Sequence, residues 1–375
     1  MKEINFGIII PIYNVKEYLQ ECLDSVICQT YKHMQIVLVD DGSFDGSSEI
    51  AYQYFQKDSR VTLIQKPNGG LSQARNVGMD YLMSSIPKDC KVYAHSDPFV
   101  PDYIHFLDSD DYLEPHCIEK CVDFLSAHQG IDCLWHDYYL FFQEKAEYSY
   151  LSYFPFKKEA PSILLVEEMF QSMTTQHLNF AWHGVIRSGL LKNLRFVEGI
   201  EYEDVAFAFM LFSRSVKIGI LHEQLLCYRI RKGSITNPHK VSYPSYMKDL
   251  EGKFLSFWDA KFYNLFYSDC INILRAHQDL QEQKLEEGLE LELKRRLRWR
   301  VFHFLIPYFY KIKKNNDPRH CLELYHQIRQ YGYVPILPPI FYIIKSFLIV
   351  RSRRIGVFVK CLIYKLFSLR RLGIK

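Results

Sequence analysis

The first 83 residues alternate between short apolar runs and amphipathic stretches, and this alternation restricts the possible folds more than any other feature. The apolar runs are residues 6–12, 36–39 and 61–65, and the stretches with helical spacing that follow them are 14–27, 47–57 and 71–83. Three consecutive strand-then-helix units predict a parallel sheet with right-handed crossover connections. We therefore expect an α/β fold, and 375 residues suffice for one large domain or two ordinary ones.

A fourth apolar run, Tyr103 to Leu107, stops abruptly at three carboxylates. Asp108, Asp110 and Asp111 stand at the C-terminal end of this predicted buried strand, where open α/β sheets bind ligands. Carboxylates this close repel one another unless a cation lies between them, and Mg²⁺ or Mn²⁺ takes oxygen ligands that it shares with phosphates. The pattern predicts a metal site, and the alternative is a solvated acidic turn that caps the next helix.

Polar residues also follow the second and third predicted strands. Asp40 and Asp41 end the second run, where one carboxylate can accept from a base N–H or a ribose hydroxyl, or can belong to an ordinary turn. Gly70 belongs to a Gly-Gly turn that lets the backbone approach a ligand closely. Arg75 lies in the first turns of the next helix, where it can face a phosphate, pair with the acids, or form a surface or structural ion pair.

Six sequence blocks occur in a fixed order over about the first 115 residues. They are Pro11-Ile-Tyr13-Asn14, Cys22-Leu-Asp-Ser25-Val, Gln29-Thr-Tyr31, Val39-Asp-Asp-Gly-Ser43, Asn68-Gly-Gly70 with Ala74-Arg-Asn76-Val-Gly78, and Phe106-Leu-Asp-Ser-Asp-Asp-Tyr112. In order and spacing these blocks resemble the family 2 glycosyltransferases of GT-A fold. The resemblance implies a Rossmann-like α/β/α sandwich with a mostly parallel central sheet, which binds a nucleotide-diphosphate sugar and a divalent metal, Mn²⁺ or Mg²⁺.

The same resemblance assigns roles to individual residues. Pro11, Tyr13 and Asp41 are expected to border the nucleotide base, while Asp108 and Asp110 serve the ribose and the metal-bound diphosphate. The metal site is expected at Asp110, with Asp108 and Asp111 in support. The full donor site is predicted to contain Pro11, Tyr13, Asn14, Asp40, Asp41, Gly70, Arg75, Asp108, Arg229 and Arg231. Asn14 is also predicted to cap the first helix, with Glu17 completing a capping box.

Two further charged motifs follow in residues 196–232. Glu203 and Asp204 precede an apolar helical stretch, where the helix dipole alone favours carboxylates. The resembling family carries a Glu-Asp pair at this distance and uses its Asp as general base, so Asp204, with Glu203 beside it, is the predicted catalytic pair. Arg229 and Arg231 resemble the family's late arginine segment, which approaches the diphosphate, and their charge suits an anion.

Two stretches lack a counterpart in the resembling motifs. Residues 85–102 separate the Ala-Arg-Asn helix from the acidic strand, and they are predicted to be an inserted surface loop, with substrate contact through His95 or Asp97 as the alternative. Residues 136–162 are aromatic and irregular, and a β-hairpin on the sheet edge is favoured there over a platform for an acceptor sugar.

Cysteine usage indicates the redox compartment. The chain has ten cysteines and no Cys-x-x-Cys pair. Cys117 and Cys121 have helical i,i+4 spacing, which favours two buried thiols over half of a metal site. The N-terminal residues enter a strand directly, without the design of a signal peptide. Free thiols in a reducing cytoplasm are therefore expected.

The C-terminal third differs in composition from the rest. The catalytic domain is predicted to span residues 1–240, a helical region residues 241–334, and a basic tail residues 335–375. After Glu323 the chain has no acidic residue and ten Lys or Arg. The tail's apolar segment 340–350 is too short to span a bilayer, while the apolar face of 358–367 against basic residues predicts a helix in an anionic membrane interface. The alternative is docking on the chain's own catalytic domain.

Taken together, these features predict an inverting glycosyltransferase at the inner face of the plasma membrane. The expected donor is a UDP-linked hexose or N-acetylhexosamine, and the expected acceptor is a hydroxyl of a growing surface glycan or glycolipid such as lipopolysaccharide. No nucleic-acid partner is expected. Two rival hypotheses are a nucleotidyltransferase, whose Gly-rich basic loop after the first strand is missing here, and a membrane-associated nucleotide-sugar-binding protein without catalysis.

Overall fold

The computed structural model describes residues 3–85, 88–152, 154–234, 243–309 and 316–334. Its strands are Phe6–Ile12 (β1), Met34–Asp40 (β2), Val61–Gln65 (β3), Lys91–Tyr93 (β4), Tyr103–Phe106 (β5), Tyr112–Leu113 (β6), Cys133–Phe142 (β7), Glu147–Ser149 (β8), Ile163–Leu165 (β9), Gly184–Arg187 (β10) and Lys217–Ile230 (β11). Its α-helices are Lys16–Ile27 (α1), Ser47–Lys57 (α2), Leu71–Leu82 (α3), Cys117–Ala127 (α4), Val166–Ser172 (α5), Glu203–Phe212 (α6), Phe257–Glu282 (α7), Glu287–Arg300 (α8), Ile306–Phe309 (α9) and Cys321–Gln330 (α10).

The strands form one mixed sheet in the order β4-β3-β2-β1-β5-β10-β7-β11-β6. Neighbours are parallel from β3 through β2 and β1 to β5, as the three strand-then-helix units predict. Strand β10 then inserts antiparallel between β5 and β7, and β7 pairs in parallel with β11. The α/β class is confirmed, and the parallel pairs are those from β3 to β5 and the pair of β7 and β11.

Both faces of the sheet are buried. Alternate residues of each strand point to opposite faces, so each strand contributes to a core on either side. In β1, Ile9 packs into one core with α3 and α6, whereas Ile8 and Ile10 pack into a second core with α1 and α4. All seven residues of β1 are buried, and so are all seven of β2. This is the layered sandwich that the resemblance implies.

The helical region shares its core with the catalytic sheet. Apolar residues of α7, such as Phe266 and Ile273, belong to the same buried cluster as Phe207 of α6 and Ile9 of β1. The proposed boundary at residue 240 stays a prediction, but the core continues across it. The predicted tail 335–375 lies outside the described residues. No helix within the described ranges is long and apolar enough to cross a membrane.

Several local predictions can be compared with the structure. Asn14 does not cap α1: it has a left-handed backbone with φ of 50°, the helix begins at Lys16, and the Lys16 N–H donates to the Asp45 side chain at 3.0 Å. The 85–102 insertion contributes β4, which extends the sheet antiparallel to β3, so the prediction of a plain loop was incomplete. The favoured hairpin in 136–162 is present as β7 and β8.

Candidate active site

The C-terminal ends of β1, β2 and β5 carry the predicted donor-site residues to one edge of the sheet. Because the three strands are parallel and adjacent, the segments that follow them emerge side by side. Pro11 is buried within β1, and Tyr13 and Asn14 follow that strand. Asp40 ends β2, and Asp108 follows β5. The structure therefore brings together residues that are up to 97 positions apart in sequence, from Pro11 to Asp108.

Asp41 is held by the loop between β3 and α3. Its carboxylate accepts hydrogen bonds from the backbone N–H groups of Gly69 (2.9 Å) and Gly70 (2.8 Å) and from the side chain of Asn68 (2.9 Å). It also pairs with the ammonium group of Lys66. Burial raises the pKa of Asp41, and these donors oppose the rise. The carboxylate therefore fixes the Gly-Gly turn, which sequence analysis did not predict.

Gly70 itself leaves open space at this turn. Its φ of 91° is a conformation that residues with a Cβ rarely adopt, and a Cβ built there would meet no atom within 4 Å. Neighbouring Asp40 is also turned inward, and its carboxylate accepts from the backbone N–H of Ser43 at 3.0 Å. Both aspartates thus shape the loops around the site.

Arg75 joins the two acidic motifs. Its Nη2 donates to Oδ1 of Asp108 at 2.6 Å, and its Nη1 donates to Oε1 of Glu203 at 2.5 Å. The guanidinium is 1% exposed and lies over the ring of Phe196, 5.1 Å from the ring centroid. Of the roles left open for Arg75, the structure supports pairing with the acids, because a cation at this position offsets the repulsion between them.

The acidic pair begins α6 at the same edge. Burial raises the pKa of Glu203 to about 7, with Arg75 opposing the rise and Asp204 adding to it. Burial likewise raises the pKa of Asp204, whose Oδ2 accepts from the Asn179 side chain at 3.1 Å. Asp204 is thus held by a neutral amide, whereas Glu203 is held by a cation.

The two late arginines make different contacts with the Asp108–Asp111 segment. Arg229 is 5% exposed, and its backbone N–H donates to Asp111 while its Nε donates to the Asp110 carbonyl, both at 2.8 Å. The rest of its guanidinium is bound by Glu21 and Gln143. Arg231 instead donates from Nε to Oδ2 of Asp110 at 2.8 Å. The geometry therefore gives Arg229 a supporting position and places Arg231 against the predicted metal ligand.

Two of the three acids, Asp108 and Asp110, fit a divalent cation. The side chains of Asp108 and Asp110 are 24% and 20% exposed, and their oxygens are the hard ligands that Mg²⁺ and Mn²⁺ prefer. Burial raises the pKa of Asp110, while the neighbouring Arg231 opposes the rise and Asp108 adds to it. Arg231 supplies positive charge at that place.

Asp111 is oriented differently from the other two. It is 1% exposed, and its Oδ2 has no hydrogen-bond partner among the described residues. Over the described ranges, the three carboxylates do not form a group in which every ligand atom lies within 4.8 Å of the others. A site of Asp108 and Asp110, completed by substrate oxygens and water, fits this arrangement, and the supporting role of Asp111 stays a prediction.

Several residues at the site were missed by sequence analysis. Phe44 is 82% exposed and lies edge-on to Tyr13, with ring centroids 6.3 Å apart. The backbone N–H of Phe44 donates to the Asn14 side chain at 3.0 Å, which ties the two loops together. Two exposed aromatic rings at the expected base-binding edge suit stacking on a nucleotide base. Phe44 directly follows the Asp-Asp-Gly-Ser block in the sequence, and this position indicates that it lies at the site.

A buried polar stripe on α7 holds the segment that leads into α6. Asn272 accepts from the backbone N–H of Ala206 at 3.2 Å and donates to the carbonyl of Tyr202 at 3.1 Å. One turn earlier, the Ser268 hydroxyl accepts from the N–H of Glu201 at 3.0 Å. Tyr202 has a left-handed backbone with φ of 57°, which is costly for a tyrosine and requires support from its surroundings. The helical region therefore fixes the start of the catalytic helix.

A small cleft of about 40 Å³ lies beside the acidic pair. Its walls come from the Gly69-Gly70 turn and the start of α3, from residues 199–201 and Glu203, and from Tyr246. Burial raises the pKa of Tyr246, and Glu201 and Glu203 add to the rise. The cleft thus connects the donor-side loop to Glu203 and to the helical region.

Comparison with known proteins agrees with this geometry. Residues 7–188 match the family model described as glycosyl transferase family 2. The chain is 33% identical over 233 residues to glycosyltransferase GlyA of Streptococcus pneumoniae, which covers 61% of this chain and 31% of GlyA. It is 30% identical over 250 residues to EpsJ of Bacillus subtilis, described as an uncharacterized glycosyltransferase, which covers 64% of this chain and 66% of EpsJ. The chain spans less than two thirds of the length of both relatives.

The fold is also similar to a solved structure, that of S. aureus TarS 1–349 in complex with UDP. The TM-score is 0.60 at 19% identity, and the match covers 95% of this chain and 93% of that one. At this identity the likeness concerns the fold. Residues 7–188 are therefore similar to glycosyl transferase family 2 and to the two curated glycosyltransferases, and the wider chain shares its fold with the solved structure.

Proposed function

We propose that this chain is an inverting glycosyltransferase that moves a sugar from a nucleotide-diphosphate donor to a glycan hydroxyl. The observation that carries the proposal is the Arg75 bridge, which joins Asp108 at the donor edge to Glu203 at the start of α6. A transferase of this kind must place the leaving diphosphate and the base on the acceptor within reach of one anomeric carbon. Two acidic motifs held by one buried arginine support that requirement.

In the proposed reaction, Asp204 is the general base. It takes the proton from the acceptor hydroxyl as that oxygen attacks the anomeric carbon, while the bond to the diphosphate breaks on the opposite face. A single displacement of this kind inverts the configuration. Asp204 is favoured over Glu203 because its carboxylate is held by the neutral Asn179 amide, whereas the Glu203 carboxylate is paired with Arg75.

The leaving group requires positive charge. Asp110 and Asp108 would hold the Mn²⁺ or Mg²⁺ ion, which when bound offsets the charge of the leaving diphosphate. Arg231, paired with Asp110, is the residue of this chain that we propose moves onto a diphosphate oxygen. Tyr13 and Phe44 would stack on the base, and the Gly70 turn leaves room for the donor.

The finer assignments of donor and acceptor are part of the proposal. A uridine diphosphate donor carrying a hexose or N-acetylhexosamine is favoured, since the structural neighbour with the matching fold is a complex with UDP. The acceptor is proposed to be a hydroxyl of a growing cell-surface glycan, with a lipopolysaccharide-type glycolipid as the first to test. The tail 335–375 is proposed to hold the enzyme on the inner face of the plasma membrane, an anionic surface.

A donor screen tests the proposal against its rivals. The full chain is incubated with Mn²⁺ or Mg²⁺ and a panel of nucleotide sugars, and the released nucleotide is identified by chromatography. Release of UDP or another nucleoside diphosphate, dependent on metal, is expected. Release of pyrophosphate from a sugar phosphate and a nucleoside triphosphate would indicate a nucleotidyltransferase. Donor binding without any turnover, on every acceptor tried, would indicate a binding protein.

A further inference from the structure

A second group of metal-ligating side chains lies inside the protein, away from the exposed carboxylates. The Nε2 atoms of His105 in β5 and His136 in β7 are 3.0 Å apart, and their rings are stacked at 14°. The ligand atoms of His105, His136 and Cys117 all lie within 4.8 Å of one another, and all three residues are fully buried. Cys121, one helical turn after Cys117 on α4, is fully buried as well, and its thiol contacts that of Cys117.

The fold brings these four residues to one face of the sheet. His105 is paired in register with Val185 of β10, and Val185 is paired in register with Leu134 of β7. His136 lies two residues beyond Leu134, so its side chain points to the same face as that of His105. The thiols of α4 cover this face. His105 and His136 are 31 positions apart in the chain. Their side chains meet over β10, the strand that lies between β5 and β7 in the sheet.

We propose that His105, Cys117, Cys121 and His136 bind one structural zinc ion. Two imidazole nitrogens and two sulfurs are the donor set of tetrahedral zinc, with Zn–N distances of about 2.0 Å and Zn–S distances of about 2.3 Å. Tetrahedral ligands at those distances place two nitrogens about 3.3 Å apart, so the observed pair must open by a few tenths of an ångström. Cys121 lies outside the group whose ligand atoms are all within 4.8 Å of one another, so its thiol must move toward the other three to become the fourth ligand.

The tautomer of one histidine suits this role. Nδ1 of His136 lies 3.1 Å from the carbonyl oxygen of Asp137, so that nitrogen carries the proton and the lone pair is on Nε2. A carbonyl partner on the second ring nitrogen is the usual way in which proteins orient a metal-binding histidine. In the absence of metal, Nε2–H of His105 would donate to this lone pair, and that hydrogen bond is the competing account of the 3.0 Å distance.

Charge balance explains why both cysteines are needed. A buried site tolerates little net charge, because an unpaired ion is costly to remove from water. Zinc with two thiolates and two neutral imidazoles is neutral, whereas a single thiolate leaves one positive charge. Each thiol releases its proton to solvent when the ion binds, and no electron transfer is involved. The ion would tie α4 to β5 and β7, and His105 lies three residues before Asp108 in the chain.

Metal analysis of the whole protein tests this site directly. The chain is expressed without a polyhistidine tag, purified without chelator, dialysed against EDTA and analysed by plasma mass spectrometry. EDTA removes ions from the partly exposed Asp108–Asp110 site, while the buried zinc is retained. About one zinc per chain is expected, because a closed four-ligand site exchanges its metal slowly. A folded chain with negligible zinc, both as purified and after refolding with zinc, overturns the proposal.

Variants locate the ion. Cys117→Ser and His136→Asn are each expected to lose most of the zinc, whereas Cys270→Ala, which alters an equally buried cysteine in α7, keeps it. If both ligand variants fold and retain zinc, the assignment is wrong.

Cobalt keeps the test decisive when a variant fails to fold. Refolding the wild-type chain with Co²⁺ should give the visible bands of a tetrahedral ion and a thiolate charge-transfer band. Their absence, with the chain folded, means that the histidine pair is only a hydrogen bond.

Discussion

At the scale of single residues, the site depends on one buried cation. Arg75, within α3, is paired with Asp108, which follows β5, and with Glu203 at the start of α6. Removing one member of a buried ion pair typically costs about 3–5 kcal/mol, because the remaining charge is left uncompensated. The residues that react are therefore better tested by isosteric changes at Asp204 and Asp110, which leave the Arg75 pairs intact.

Asp204→Asn removes the proposed base and keeps the shape of the side chain. We expect turnover to fall by about 10²- to 10⁴-fold, with donor binding little changed, because loss of proton transfer affects the chemical step. Steady-state kinetics of UDP release and calorimetric titration with UDP measure the two quantities. Glu203→Gln is the comparison at the neighbouring carboxylate, and it also removes the charge that pairs with Arg75. A fully active Asp204→Asn enzyme beside an inactive Glu203→Gln enzyme would assign the base to Glu203.

Asp110→Asn tests the proposed metal ligand. The amide keeps a hydrogen bond to Arg231 but loses the negative charge that attracts a divalent ion, so turnover should be abolished and nucleotide binding weakened. Thermal unfolding should change little, because the Asp110 side chain is partly exposed. The measurements are UDP release and binding with and without Mn²⁺. Full wild-type activity in excess EDTA would argue against any metal in the reaction.

At the scale of elements, α7 holds α6 at both ends. Asn272 binds the backbone at the start of α6, and Asp279, two turns later on α7, binds Ser213 and Arg214 beyond its other end. The 241–334 region is thus in contact with the catalytic helix through hydrogen bonds as well as through the shared core. Only the Asn272 end carries Glu203 and Asp204.

Asn272→Leu should lower kcat more than it changes KM for the donor. The substitution removes the Asn272 acceptor of the Ala206 N–H, at a cost of about 1–3 kcal/mol. It also removes one donor to the Tyr202 carbonyl, which keeps the Val205 N–H, and it loosens the backbone that positions Asp204. Asp279→Asn is the matched control, since it weakens the far end of α6. We expect both variants to lose stability and only Asn272→Leu to lose turnover. Equal losses of kcat in the two variants would show that Asn272 has a structural role only.

At the scale of the whole molecule, charge is unevenly distributed along the chain. The net charge is +3, and ten basic residues with no acid follow Glu323, so the remainder carries −7. Tyr333 is buried against His277, with a hydrogen bond of 2.8 Å between them, so the described fold extends to Val334. The basic tail, residues 335–375, follows in the sequence and lies outside the described residues.

Truncation after Val334 should separate catalysis from membrane attachment. Each Lys or Arg near an anionic leaflet contributes about 1 kcal/mol, so the tail's attraction should fall as salt rises. The shortened chain should still release UDP from donor but serve a lipid-borne acceptor poorly. Sedimentation with anionic vesicles measures attachment, and a full-length chain with Arg351, Arg353, Arg354 and Lys360 changed to Gln is the control for charge. Equal binding of the full-length and truncated chains would favour the tail as a packing element of the protein itself.

The sequence alone was sufficient for the features that arise locally. Apolar alternation and helical spacing are determined by neighbouring residues, so β1 to β3, α2 and the acidic end of β5 could be predicted. The resemblance to family 2 glycosyltransferases, carried by six blocks, supplied the donor-site residues. The prediction of a helix cap at Asn14 was wrong. The Asn14 side chain instead accepts a hydrogen bond from the backbone N–H of Phe44, so a contact between two loops replaces the local capping interaction.

Tertiary structure decided which distant groups meet. Arg75 pairs with Glu203, which lies 128 positions later in the chain. Strand β10 lies between β5 and β7 in the sheet, although in the sequence it begins more than 40 residues after β7 ends. The choice among the roles open to Arg75, and the meeting of Cys117 with His105 and His136, depend on which faces pack together. Periodicity shows that a face is buried but contains no information about its partner, since the hydrophobic effect that drives burial has no direction.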